Sequence, residues 1–215
     1  MGAMQITQLG HSTVLVETAD RRILLDPGNF SADWHGLTDL DAILVTHQHP
    51  DHADPEHLPA LVAANSQAAV WVEPTVPQQV DLPTAQPLAA DTTVGLGGVT
   101  ITAVGGTHAV IHRDLPLIGN VGLVIAAEGE PTLFHPGDCL SVVPCGIDVL
   151  AAPAHGPWAA MKEHIDFVRA VGAAQGLLIH DGLLSERGWQ LTFGRLNEMT
   201  GTQFSDHRDQ RTFTV

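Results

Sequence analysis

His47, His49, Asp51 and His52 crowd into one short segment, Thr46-His47-Gln48-His49-Pro50-Asp51-His52, directly after an apolar run. Imidazole nitrogens with a carboxylate suit Zn2+, Mn2+ or Fe2+ rather than Ca2+ or Mg2+. His47 and His49 alternate by two, so an extended backbone aims both rings the same way. Asp51 and His52 follow at the bend into the next element. The competing reading is a polar loop of solvated histidines. The position favours the first, because sites collect at strand carboxyl ends in layered α/β folds.

His47-Gln48-His49-Pro50-Asp51-His52 matches the H-x-H-x-D-H signature of the metallo-β-lactamase superfamily, and other segments resemble that family's pattern in order. Gln8-Leu9-Gly10-His11-Ser12 followed by Leu24-Leu25-Asp26-Pro27-Gly28 looks like the opening of its small, domain-length members, among them the L-ascorbate-6-phosphate lactonase-like hydrolases. Gly105-Gly106-Thr107-His108 resembles the stretch that carries the third histidine of the first metal site. His135-Pro136-Gly137-Asp138 is similar to the strand end that supplies a bridging aspartate. Leu178-Ile179-His180 resembles the late histidine of the second site.

Carried onto this chain, the resemblance implies a first metal held by His47, His49 and His108. It implies a second held by Asp51, His52 and His180, with Asp138 bridging the two. The cofactors would be two divalent metal ions, Zn2+ first, with Mn2+ or Fe2+ as alternatives. Two close dications lower the pKa of a shared water, so a bridging hydroxide exists near neutral pH. Asp51 would also carry a proton to the leaving group. The implied fold is an α/β four-layered αββα sandwich, two mixed sheets with helices outside.

Other residues are weighed individually. His155, in Pro153-Ala154-His155-Gly156-Pro157-Trp158, is the candidate for touching substrate or donating a proton, since a bounded loop after an apolar strand faces a cleft. His11, near Asp26, either supports the metal loop or is structural. His112 is read as an exposed loop residue, and His135 as satisfying a backbone group. His35, His57, His164 and His207 are read as surface residues. Asp181 either orients a ligand or caps a turn. Cys139 is read as a small buried hydrophobe, and Trp158 as core or cleft wall.

Short apolar runs with turn signals between them must position these residues. Strands are expected at 4–9, 12–17, 22–26, 41–45, 69–72, 92–96, 99–104, 120–126, 132–134, 148–152 and 177–179. A helix is expected from Asp54, as N-cap, with Pro55 at its first position, to Ala64. Helices are also expected over 158–171 and 188–199. Strands dominate both halves and each half closes with helices, which suggests two sheets face to face with helices outside. No internal repeat is visible.

The chain has 215 residues and a formal charge of -15, with 13 histidines against nine Lys plus Arg. Such a field repels phosphate backbones and anionic membranes, so long nucleic acid and membrane are excluded as partners. Residues 4–215 read as one hydrolase domain and 1–3 as a tag remnant. No signal peptide or membrane span is visible, and two cysteines suit a reducing, cytoplasmic setting. The expected function is metal-dependent hydrolysis of a small molecule at an ester, lactone or phosphoester bond. The alternatives are a phosphodiesterase or nuclease on short substrates, and a metal-binding sensor without turnover.

Overall fold

The computed structural model describes residues 2–208 and 212–215. Met1, the first residue of the tag-like segment, lies outside them. Strands β1 (Gln5–Gln8), β2 (Val14–Thr18), β3 (Arg21–Leu25), β4 (Ala42–Val45), β5 (Ala69–Val72) and β6 (Gln86–Pro87) form most of the first sheet. The second contains β7 (Thr93–Leu96), β8 (Val99–Gly105), β9 (Val121–Ala127), β10 (Leu133–His135), β11 (Val149–Pro153), β12 (Gln175–Ile179) and β13 (Gln203–Phe204). The last strand, β14 (Thr212–Thr214), returns to the first sheet beside β1. The orders are β14-β1-β2-β3-β4-β5-β6 and β13-β12-β11-β10-β9-β8-β7. Each sheet starts as an antiparallel meander and ends in parallel strands, so both are mixed.

Side-chain alternation builds the layers. In β4, Ala42 and Leu44 face the other sheet, while Ile43 and Val45 face outward. The inner cluster joins Ile6, Val16, Ile23 and Leu44 to Ile101, Leu123, Val149 and Ile179. The outer face of the first sheet packs on α1 (Leu58–Ala64) through Leu58, Leu61 and Val62. The outer face of the second packs on α2 (Met161–Val171) and α3 (Glu186–Met199) through Ile165, Val168 and Leu196. The result is the expected four-layered αββα sandwich.

Element ends differ from expectation for local reasons. The Asp54 carboxylate accepts from the Glu56 and His57 amides, as a cap should, but it caps a separate turn, and α1 begins at Leu58. Trp158 stays outside α2, in a small bridge that Gly156 and Ala159 close, and the helix begins at Met161. The Ser185 side chain caps α3 from the Gly188 amide, so the helix starts two residues before Gly188. The edge strands β6, β13 and β14 carry no apolar run long enough to announce them. Among the described residues, no helix is long and apolar enough to cross a membrane.

Candidate metal centre

The polar residues gather where strands end. Thr46–His52 follows β4, His108 follows β8, Asp138 follows β10, and His180 follows β12. Two groups result: His47, His49, His108 and Asp138, and His11, Asp51, His52 and His180. In each, one ligand atom per residue lies within 4.8 Å of the others. All seven residues expected as ligands are thus brought together. Asp138 reaches both groups: its Oδ2 is 3.3 Å from His108 Nε2 and 3.2 Å from His180 Nε2, and its Oδ1 is 3.2 Å from His52 Nε2.

Hydrogen bonds fix which nitrogen of each ring is left for a ligand. Thr46 donates its hydroxyl proton to Asp26 Oδ2 at 2.7 Å, so its oxygen accepts from His47 Nδ1 at 3.0 Å. His52 Nδ1 donates to the same Asp26 oxygen at 2.7 Å. His108 Nδ1 donates to the Ala109 carbonyl at 2.6 Å. The Nε2 lone pairs of His47, His52 and His108 therefore point inward. Asp26, fully buried and also accepting from the Thr46 amide, supports two of the three.

His11 stands apart. The Gly182 amide donates to His11 Nδ1 at 3.0 Å, so the neutral ring carries its proton on Nε2. That proton goes to Asp51 Oδ2 at 3.1 Å. His11 has no free lone pair for a metal, and it orients Asp51.

Backbone geometry holds this arrangement in place. His11, Asp26 and His180 have left-handed φ of 49°, 46° and 58°. Such conformations in non-glycine residues cost roughly 1–3 kcal/mol each and cluster at sites the surrounding fold over-determines. Gly28 lies against the metal loop: a Cβ there would fall 1.8 Å from the Asp51 carbonyl oxygen.

The site's charge balance favours a cation. Burial drives the His47 pKa well below the ordinary histidine value, with the neighbouring His52 adding to the effect. Burial and His108 lower His49 likewise. Burial opposes charge at His52 too, yet Asp138 and Asp26 outweigh it and raise that ring well above the usual value. At His180, contact with Asp138 and Asp51 overcomes burial and lifts the pKa to about 9. Burial would raise both carboxyls. The rings around Asp138 hold it well below the usual carboxylate range, and His11 and His180 do the same for Asp51. Two ionised carboxylates that draw positive charge onto His52 and His180, beside the neutral rings of His47 and His49, are the donor set of a divalent cation. The buried Nε2 atoms of His108 and His180 and Oδ1 of Asp138 lack a well-formed hydrogen bond among the described residues, so the donors fit such an ion.

Several residues outside the expected set prove important. Trp158 donates its indole N–H to Asp138 Oδ2 at 2.9 Å, so it does more than line the cleft. Asn120 accepts from the Asp138 amide and donates to the Pro136 carbonyl. His164, expected at the surface, is buried on the inner face of α2 beside Trp158. Its spacing from Met161 and Val168 carried that signal. His207, also expected at the surface, is half-buried and stacks on Phe213. His35 and His57 are exposed and form a third small group with Asp54. His112 is exposed in its loop. His135 donates to the Ser12 carbonyl at 3.0 Å and accepts from the Gly137 amide, the backbone role expected of it. Cys139 is buried beside Ser141. His155 lies half-buried in the loop after β11 and belongs to neither ligand group.

The family model of the β-lactamase superfamily domain matches residues 5–178. Protein Rv0786c of Mycobacterium tuberculosis is 41% identical over 202 residues, covering 94% of this chain and 95% of the relative. A UPF0173 metal-dependent hydrolase of Brucella canis is 37% identical over 153 residues, 63% of this chain and 62% of its own length. Among solved structures, the metallo-β-lactamase fold protein YhfI of Bacillus subtilis superposes with a TM-score of 0.71 at 16% identity. That match covers 99% of this chain and all of YhfI, and it speaks for the fold alone.

Proposed function

This chain belongs to the metallo-β-lactamase superfamily, and from that premise we propose that it is a metal-dependent hydrolase of small ester- or lactone-type substrates. The relative from Brucella canis, named a metal-dependent hydrolase, supports the reaction class. The observation that carries the reading is Asp138, a single buried carboxylate within 3.3 Å of histidine nitrogens in both groups. His47, His49 and His108 would hold one divalent ion, and Asp51, His52 and His180 a second, with Asp138 shared. Zn2+ is the first choice, then Mn2+ or Fe2+. Such ions supply a water of lowered pKa and polarise the substrate oxygen.

The chain's own residues do the rest. Water adds across the acyl C–O bond, the acyl carbon keeps the hydroxyl, and the leaving oxygen needs a proton. Asp51 suits that transfer: its side chain is 19% exposed, whereas that of Asp138 is 3% exposed. His11 holds Asp51 Oδ2 and so fixes the carboxylate's orientation. His155 is assigned a supporting role, donating to the developing oxyanion or to the leaving oxygen.

A panel of chromogenic esters, lactones and bis-phosphoesters tests the reading on metal-loaded protein and on Asp51→Asn. We expect ester or lactone turnover in the native protein and a loss of at least a hundredfold in the variant, the scale of a missing proton carrier. Fully loaded protein that cleaves no ester or lactone in the panel, or a variant as active as the native chain, rejects it.

A further inference from the structure

We propose that the substrate is neutral and carries an apolar arm, seated in the chamber between His108 and α2. This proposal rests on the hydrolase reading and adds the substrate's chemistry to it. A cavity of about 630 Å³ opens beside His108, walled by Val110, Leu140, Val143, Trp158 and Phe167. A smaller one, about 240 Å³, also borders His108 and is lined by His49 and by the loop from Ala109 to Ile118. The two chambers share His108, Ala109 and Val110, so a scissile bond at the metals would lie beside apolar wall.

The surface around the chambers is apolar beyond what packing requires. Val110 is 63% exposed, Leu115 53%, Leu117 61% and Val143 43%. Large apolar side chains clustered at a cleft mouth mark a binding surface, whereas scattered ones need no explanation. Continuity with the metal centre makes the occupant a substrate, since His108 and Trp158 line the larger chamber and Trp158 also holds Asp138.

Charge narrows the class. The titratable groups lining the larger chamber are Glu163 and Asp166 on α2, the buried thiol of Cys139 and His108 itself, and neither Lys nor Arg lines it. A carboxylate or phosphate on the arm would face these two acids with no Lys or Arg on that wall to receive it, the ion that His108 would hold being engaged by the scissile bond. The smaller chamber has Arg113, but that side chain is 87% exposed and 3.7 Å from Asp114. A neutral acyl or aryl arm meets no such penalty.

The test compares p-nitrophenyl acetate, butyrate, hexanoate and hemisuccinate on zinc-loaded protein, native and Val143→Asp. Each methylene buried is worth about fourfold in binding. We therefore expect kcat/KM to rise at least tenfold from acetate to hexanoate, and the hemisuccinate to fall below the butyrate. In Val143→Asp the hexanoate-to-acetate ratio should drop at least fivefold. A flat chain-length profile, or a preference for the hemisuccinate, overturns the proposal. Calorimetric binding of hexanilide and of hexanoate separates it from the hydrolase reading, because binding needs no turnover. Hexanilide should bind the native protein at least tenfold more tightly than it binds Val143→Asp, and more tightly than hexanoate binds. Equal binding by both proteins overturns the chamber even if esters are cleaved; the expected binding without turnover of esters or lactones upholds the chamber and rejects the hydrolase.

Discussion

The Gly182 amide and the His11 ring, 171 positions apart in the chain, meet at 3.0 Å, and that one bond decides what His11 can do. With Nδ1 accepting, Nε2 must donate, and Asp51 receives it. His11→Ala should weaken the second metal by about ten- to a hundredfold, the usual effect of losing a partner that orients a ligand. The first ion should be retained. His11→Gln, which keeps an N–H donor, should recover part of the loss. Competition with a chromophoric chelator measures both affinities, and a His11→Ala protein with two unchanged sites removes the assigned role.

Metal content gives the second prediction. Protein purified without chelator and then reloaded should approach two equivalents of Zn2+. Chelation should lower the melting temperature, since ligands from both sheets would then lose their shared partner. A plateau at one equivalent rejects the paired site.

Gly28→Ala tests the packing behind Asp51. The added methyl has no room beside the Asp51 carbonyl, so the metal loop must shift. The variant should keep its secondary structure by circular dichroism and lose the second ion before the first. Equal affinity at both sites, unchanged from the native protein, would show that the loop absorbs the methyl.

His155→Ala should retain both metals and its melting temperature while turnover falls about a hundredfold, the size of a lost acid or oxyanion donor. Loss of a metal instead would make His155 a ligand. Unchanged rate with unchanged metal removes it from the mechanism.

Acid stability gives a fifth prediction through His164. Burial lowers its pKa from the ordinary 6.5 to about 4. The unfolded chain therefore takes up a proton that the folded one refuses. The neutral ring's contribution is complete above pH 6.5 and is lost as pH falls from there toward 4, by roughly 3 kcal/mol in all. His164→Leu should flatten this part of the stability curve relative to the native protein, as measured by urea unfolding at several pH values. Parallel curves for the two proteins refute it.

The parts of this site legible in the sequence are those whose meaning is local. His47, His49, Asp51 and His52 sit within one turn of chain and need no fold to be seen together. Asp138 and His180 were readable only because their order matched a family pattern. Asp26, Trp158 and Asn120 were not readable as partners, since each acts through a contact 16 to 26 residues away. The layers were legible because the unbroken apolar run of β4 declares two buried faces and the alternation along β8 declares one. The edge strands were not, because pairing with a neighbour, rather than apolar content, makes them strands.

The strand orders of the two sheets have a consequence for how the molecule can be divided. Each half repeats one plan, an antiparallel meander passing into parallel strands, although no repeat shows in the residues. His47, His49, Asp51 and His52 come from the first half, and His108, Asp138 and His180 from the second. The segment between β6 and β7 joins them, so a cut there would give two fragments that are each without a full ligand set. The second fragment would also carry β14, the edge strand of its partner's sheet. Such fragments are natural complementation partners: strand exchange would drive their reassociation, and regained metal capacity would report it.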